Sequence, residues 1–510
     1  MRRLIFLITI VSFLSCSKDS TNQEGQVSEI KYSIEIIAGE GGTVDNNGGS
    51  YSSGTQLSIL ATPNNGYRFK EWSNGQTDNP LTITVSGNLN ITAVFEPFSV
   101  VSFIDLGGTK LLQIRNAVIS GNSVTVLFTY HKEGLGVLEE LDSNTSRENN
   151  AALINLDFNG KVNWIKLIDT DYLYASPHNL IINDTGNFIV SGYLTPSDAP
   201  SLNDNQEFFI LETTTNGNQN WINRVATNEN NTKIQHSLNR LMSYKSSSNQ
   251  SVSYSAAVYT DAQGGIFENT TTNPIEPYYL INLDNNGGVV NTIKLNNREV
   301  DDFRINVEGV TALKGSNQGK FLVYGDGIKS NSDPYRAVSI AIYDEEFNEI
   351  ERRWIEPFNT SITFSKIIPL DDGGFLHLIP LDMNDTYRKI IRKYNSDFEL
   401  VWEREELDEY AYGDFQIDGE HIYISGYLYD SYFLSKKMKI NDGTEVWEFK
   451  QNISQRKTIV YHNLLTEDEV ILVGTAQDYT GFFADNPSNS TNEPNLMLIR
   501  LDKETGNLKE

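Results

Sequence analysis

Three of the six histidines in this 510-residue chain recur at one place in a repeated phrase. The phrase is an apolar run, a tight turn and a second apolar run, as in HNLIINDTGNFIVSGYL (178–194) and HNLLTEDEVILVGTA (462–476). Seven copies can be aligned on the apolar triplet of the first run. The residue two before that triplet is then Arg115, His178, His236, Glu308, Ser365, Gly413 and His462 in turn. If the copies stand in a circle, His462, Arg115, His178, His236 and Glu308 fall on consecutive members and form a polar arc at the mouth of a channel. Imidazoles ligate metals and turn cationic near neutral pH, so such an arc could hold a metal ion or an anionic group. It could equally be the hydrogen-bonded lining of a wet channel. A slip of one residue in a strand would turn any of these side chains to the opposite face. No metal is assigned on this pattern.

A second set of candidates is aromatic. The connections between phrases carry Tyr172, Tyr174, Tyr410, Tyr412, Tyr429, Tyr432, Tyr479, Phe482 and Phe483. Flat rings beside Asn, Asp and Thr suit the faces of sugars, and also suit a protein partner. Catalytic signatures are missing: the chain has no phosphate loop, no HExxH and no GxSxG. No catalytic residue and no cofactor is assigned. Asp-rich turns such as LDNNGG (283–288) and LDDGG (370–374) lack the alternating-oxygen pattern that ends in Glu, and ordinary turn chemistry accounts for them.

These candidates need a scaffold, and a second phrase supplies it. NLDFNGKVNW (155–164), an apolar strand end, a turn and a Trp, recurs around Gly160, Gly217, Gly287, Phe347, Phe398, Gly443 and Gly506, at a mean spacing of about 58 residues. Two hairpins per period make four strands, the unit of a β-propeller blade. The expected fold is all-β: a seven-bladed β-propeller over residues 99–510, closed by its N- and C-terminal strands and preceded by a small β module. Closure follows from a shortfall. The last second phrase stops at Glu510 without its outer strand, and FSVVSFIDL (98–106) is a strand without a partner of its own. Trp164, Trp221, Trp402 and Trp447 then lie on outer strands, where a large ring covers the gap between blades. Turns inside phrases are tight and connections between phrases are long, so one face is elaborated and suited to binding.

LDKETGNLKE and INDGTEVW resemble the repeat of quinoprotein-type propellers, a group containing both quinone-dependent dehydrogenases and non-catalytic lipoproteins that scaffold outer-membrane assembly. The resemblance covers the second phrase only and is architectural. The vicinal cysteines of many of its enzymes cannot be supplied here, because the chain has one Cys.

Before the repeats, residues 31–98 change character. Short alternating runs are separated by Gly- and Asn-rich turns, with Gly41-Gly42, Gly54-Thr55, Ala61-Thr62-Pro63, Gly66-Tyr67 and Trp72-Ser73 as landmarks. The segment resembles the divergent internalin-B-type repeat of bacterial surface proteins, which implies a spacer or adhesive module with Tyr67 and Trp72 in its core. Further upstream, residues 1–15 join two arginines to an apolar run too short to span a bilayer, a secretory signal. The single cysteine, Cys16, follows directly. The arrangement resembles a bacterial lipoprotein, and CSKDS resembles the surface-export tag of Bacteroidetes-type lipoproteins. This implies lipidation at Cys16 and an outer-membrane, cell-surface location. Residues 16–30 read as a flexible tether. Without residues 1–15 the chain keeps 38 basic against 67 acidic residues, a net charge of −29 that opposes nucleic acid and anionic membranes.

The expected function is non-enzymatic binding or adhesion through the long-loop face, with a glycan or a cell-envelope protein as ligand. The alternatives are a propeller enzyme, glycan-cleaving or quinoprotein-like, and a scaffold in outer-membrane assembly.

Overall fold

The computed structural model describes residues 30–63, 67–97, 101–104, 111–131, 149–168, 172–196, 206–225, 234–235, 241–243, 253–260, 278–295, 304–330, 333–358, 361–362, 365–383, 386–406, 411–428, 432–452, 458–477 and 495–509. Residues 1–29, with Cys16 and the expected signal and tether, lie outside them. Two compact units divide between Phe98 and Ser99.

The first unit is a small all-β module. Lys31–Ala38 pairs antiparallel with Gly48–Ser52 and parallel with Leu89–Pro97, which in turn pairs with Tyr67–Trp72. Alternation in Lys31–Ala38 sends Ile34 and Ile36 inward and Glu35 outward. Trp72 is fully buried among Ile59, Ile91 and Ala93, and its indole N–H donates to Asp78 O at 2.9 Å. Tyr67 packs against this core from the side, close enough to Gly41 that a Cβ there would sit 2.0 Å from the ring.

The second unit is a succession of four-stranded antiparallel meanders. Among the described residues the first is Leu111–Ser120, Ser123–His131, Asn149–Asp157 and Val162–Leu167. The second is Tyr172–Ile182, Phe188–Pro196, Glu207–Thr213 and Gln219–Val225, and one parallel bridge, Asn149 to Tyr174, links it to the first. A third sheet has Tyr254–Thr260, Tyr278–Leu283 and Val289–Lys294, with the short pieces Ile234–Gln235 and Leu241–Ser243 on its leading edge. The fourth begins at Arg304–Ala312 and ends at Glu349–Phe358; the fifth has Lys366–Pro369 on its leading edge and ends at Leu400–Glu406. The sixth runs from Ala411–Asp418 to Glu445–Asn452. The seventh has Thr458–Leu465, Glu469–Ala476 and Asn495–Asp502, and takes its fourth strand from Val101–Ile104.

Apolar residues on both faces of each sheet are buried against its neighbours. Leu127 and Leu153 of the first sheet share a cluster with Leu180, Phe188 and Val190 of the second. Phe415 and Ile424 of the sixth meet Leu376 and Ile391 of the fifth. Ile114, Val126 and Phe128 of the first also meet Leu464, Ile471 and Leu498 of the seventh.

The turn-and-Trp phrase forms the seams. The turn of each second hairpin rests on the trailing strand of the sheet before it: a Cβ at Gly217 would lie 2.6 Å from the Trp164 ring, and one at Gly506 2.5 Å from that of Trp447. Trp402 and Trp447 donate their indole N–H to Ile440 O and Lys503 O of the next sheet, at 2.9 and 3.1 Å. At the corresponding seam between the seventh and first sheets, Ser102 Oγ donates to Asn159 O at 2.8 Å and Arg500 Nη1 to Asn159 Oδ1 at 3.1 Å.

Candidate functional site

Leading strands carry the chemistry, and their register decides which side chains meet. Each second strand of the second, fourth, sixth and seventh sheets has a glycine opposite its leading strand: Gly192 faces Pro177, Gly325 faces Val307, Gly426 faces Tyr412 and Gly474 faces Val460. The next residue of the leading strand is skipped as a β-bulge. The skipped residues are His178, Glu308, Gly413 and Tyr461, and in the first sheet Arg115. A bulge brings the two backbones close, which explains the glycines: a Cβ at Gly192 would lie 2.3 Å from Ser176 O, and one at Gly474 2.2 Å from Ile459 O.

This register corrects one member of the expected arc. Arg115, His178 and Glu308 are equivalent bulge residues, but in the seventh sheet the bulge is Tyr461. His462 pairs with Val473 and is the counterpart of Asn116, Asn179 and Asp414. Apolar triplets cannot register an inserted residue, so alignment on them misplaces His462 by one. His236 lies outside the described residues.

Two groups of side chains result. In the first, Lys366, Asp414 and His462 occupy the same register position on the fifth, sixth and seventh sheets. Lys366 Nζ ion-pairs with Asp414 Oδ1 and donates to Phe415 O at 3.1 Å. Gln416 Nε2 donates to Asp414 Oδ2 at 3.1 Å, and the Phe415 N–H to Asp414 Oδ1 at 2.8 Å. His462 Nδ1 stands 3.5 Å from Asp414 Oδ2. Burial raises the Asp414 pKa, but the Lys366 charge and the His462 contact outweigh it and hold the carboxyl at about 2. Glu308 belongs with this group, its Oε2 accepting from Ser365 N at 2.8 Å and Ser365 Oγ at 2.5 Å.

In the second group, Tyr461, Arg115 and His178 are the bulge residues of the seventh, first and second sheets. Tyr174 and Tyr193 of the second sheet complete it, with ring centroids 6.3 Å apart. His178 stacks on Tyr193 at 5.6 Å and 23°, and its Nε2 is 3.0 Å from Ser176 Oγ. Burial raises the Tyr193 pKa, opposed by its hydrogen bond with Ser176. Burial likewise lowers that of Arg115, opposed by the phenols of Tyr174, Tyr193 and Tyr461. Arg115 Nε is buried without a hydrogen-bond partner. Tyr174, Tyr193 and Tyr461 are half-buried, leaving ring surface accessible.

The other aromatic candidates scatter. Tyr172 is fully buried in the cluster between the first and second sheets, so it is a core residue and not part of a ligand platform; its strand begins at that position, which buries what the sequence places in a connection. Tyr432 begins strand Tyr432–Lys439 and lies under Lys450 Nζ, 3.7 Å from the ring centre. Tyr412 lies in strand Ala411–Asp418, opposite Gly426. Tyr410, Tyr429, Tyr479, Phe482 and Phe483 lie outside the described residues. Sequence reasoning missed Tyr193 and Tyr461. The paired glycines were the available signal: Tyr193 directly follows Gly192, and Tyr461 follows Val460, the residue opposite Gly474.

Among the described residues, no three His, Cys, Asp or Glu side chains lie close enough to share a metal ion. A groove of about 530 Å³ opens at the tight-turn ends of the fifth and sixth sheets, lined by Asp371, Asp372, Asp418, Glu420, Lys314 and Lys393 among others. Its charges are partly paired internally: Lys314 Nζ is 3.1 Å from Asp371 Oδ1.

Residues 32–99 match the divergent InlB B-repeat domain family. No curated protein matches the sequence of the chain. Solved structures with similar folds include the β-propeller domain of the Trilobed protease from Pyrococcus furiosus, 9% identical, covering 79% of this chain and 98% of that one with a TM-score of 0.40. A β-propeller domain from Myceliophteria thermophila is 11% identical, covering 76% of this chain and 99% of that one, with a TM-score of 0.37. A europium-containing methanol dehydrogenase is 10% identical, covering 76% and 81% with a TM-score of 0.34.

Proposed function

We propose that this chain is a lipid-anchored surface protein whose second unit is a seven-bladed β-propeller that binds a glycan, without catalysis, where the leading strands of its seventh, first and second sheets converge. The observation that carries the reading is the group of half-buried tyrosines around Arg115. Tyr174, Tyr193 and Tyr461 come from two sheets on either side of it, and partly accessible rings on a rigid β scaffold suit the apolar faces of sugars. Ring closure is supported by the pairing of Val101–Ile104 with Asn495–Asp502 and by the apolar cluster shared between the seventh and first sheets. The anchor rests on the apolar leader and Cys16; the small module then serves as a spacer between membrane and propeller. A cell-envelope protein is the competing ligand class.

The Lys366–Asp414–His462 line does not favour an enzyme. Asp414 accepts from Lys366, Gln416 and its own neighbour's N–H and also faces His462, which commits the oxygens a general base would need free.

A glycan array probed with the detergent-solubilised full chain tests the binding reading. Tyr174→Ala and Tyr461→Ala are expected to weaken the strongest signal about tenfold each, the worth of a lost ring contact. An array without signal, or signals indifferent to both substitutions, would sink it. For the anchor, labelling cells with an alkyne fatty acid should mark the wild type and not Cys16→Ala.

A further inference from the structure

We infer that Arg115 is a carboxylate-reading subsite, so that the ligand is an acidic saccharide of the uronic-acid class. The inference rests on the glycan reading above and narrows it.

The reason is how this arginine differs from others among the described residues. Arg352 pairs with Glu349, Arg353 with Glu351, Arg392 with Glu403 and Arg500 with Glu469. That is the expected fate of a cation in a chain with 67 acidic and 40 basic residues. Among the described residues, the titratable groups that act on the Arg115 guanidinium are three phenols, and no carboxylate is among them. Its Nε is buried and makes no hydrogen bond.

A buried guanidinium donor left unpaired costs stability that a folded chain ordinarily recovers with a partner. A ligand carboxylate would be that partner. The planar fork of Arg matches the two oxygens of a carboxylate with parallel hydrogen bonds, and desolvation of the site strengthens them. The surroundings fit the rest of a uronic acid. Tyr174, Tyr193 and Tyr461, each half-buried, present ring surface for a pyranose. Because the bulge aims Arg115 from the same register position that gives Tyr461 and His178 on the flanking sheets, charge and stacking surface are presented together.

The test is titration calorimetry on the full chain with three probes: an oligoglucuronide, its methyl ester and the matching neutral oligoglucoside. The acid should bind at least about tenfold more tightly than either neutral probe. Raising salt from 50 to 500 mM should weaken the acid and leave the neutral probes as they were. Arg115→Gln should bring the acid down to the neutral affinity, and Arg115→Lys should restore only part of the difference, since Lys lacks the fork. Equal binding of acid and ester by the wild type overturns the carboxylate inference and leaves the glycan reading standing. A preference for the acid that survives in Arg115→Gln overturns the role of Arg115. Failure of the wild type to bind any saccharide, here and on the array, removes both. The ester and salt comparisons use only the wild type, so a variant that misfolds does not spoil the result.

Discussion

The leading strands of the second unit carry two polar groups that use similar residues to opposite ends. On the fifth to seventh sheets, Lys366, Asp414 and His462 are closed on one another, and Glu308 is closed on Ser365. On the seventh, first and second sheets, Arg115 stands among tyrosines with a buried donor unused. The difference lies in the presence of an acid. Where the chain places Asp414 between a lysine and a histidine, the charges become a pin between neighbouring sheets. Where it places tyrosines, the cation remains available. A charged group marks a site only where it is also left unsatisfied beside accessible surface.

The comparison can be broken most forcefully at Asp414. Asp414→Ala strands Lys366 Nζ without its counter-charge and should cost about 3 kcal/mol of unfolding free energy in urea, since removing one partner of a buried pair leaves the other uncompensated. A loss below about 1 kcal/mol would mean that the closed group does not pin the sheets.

Acid titration sharpens the same contrast from another residue of the fifth sheet. His377 is fully buried, neither ring nitrogen has a hydrogen-bond partner, and its ring meets Tyr324 edge-on at 6.3 Å. Burial, with the Arg392 charge adding to it, lowers its pKa from 6.5 to about 3. The folded state therefore stays neutral while the unfolded chain takes up a proton. The stability is complete above pH 6.5 and falls by about 1.4 kcal/mol per pH unit as pH drops from there towards 3. His377→Leu should remove that slope in denaturant melts between pH 7 and 4; an unchanged slope would assign it elsewhere. Asp414 adds its own loss only lower, as pH falls from 3.8 through about 2, because its folded carboxyl is the more acidic.

The smallest effect belongs to the open group. Arg115→Met should leave stability within about 1 kcal/mol of the wild type or raise it, because replacing a partly buried cation with an unpaired Nε by an apolar side chain of similar length removes a desolvation cost. A loss as large as that of Asp414→Ala would show that Arg115 is a structural pin as well, and the contrast would disappear.

How much of this was legible beforehand varies by residue. The turn at each second hairpin could be read without its glycine: Phe347 and Phe398 align with Gly160 and Gly217, and both adopt the left-handed φ of 65° and 61°. Their rings repay part of that strain, Phe347 at 4.7 Å from Phe321 and Phe398 at 6.0 Å from Phe375. Trp164 and Trp447 were legible as seam residues because their distance from the turn is fixed by local pairing. Tyr172 was not, since burial depends on the sheet that covers it. Tyr461 was hidden for a different reason. A bulge inserts a residue without changing composition or alternation on either side of it, so His462 presented itself in its place.

The sequence by itself determined the all-β class, the paired hairpins, the turns and the seams, because each depends on contacts within a few residues or on a repeated side chain at a fixed offset. Only the tertiary structure decided which polar residues face one another. That choice is made between strands about 50 residues apart, where a single skipped residue reverses the face and the neighbouring sheet supplies or withholds the acid.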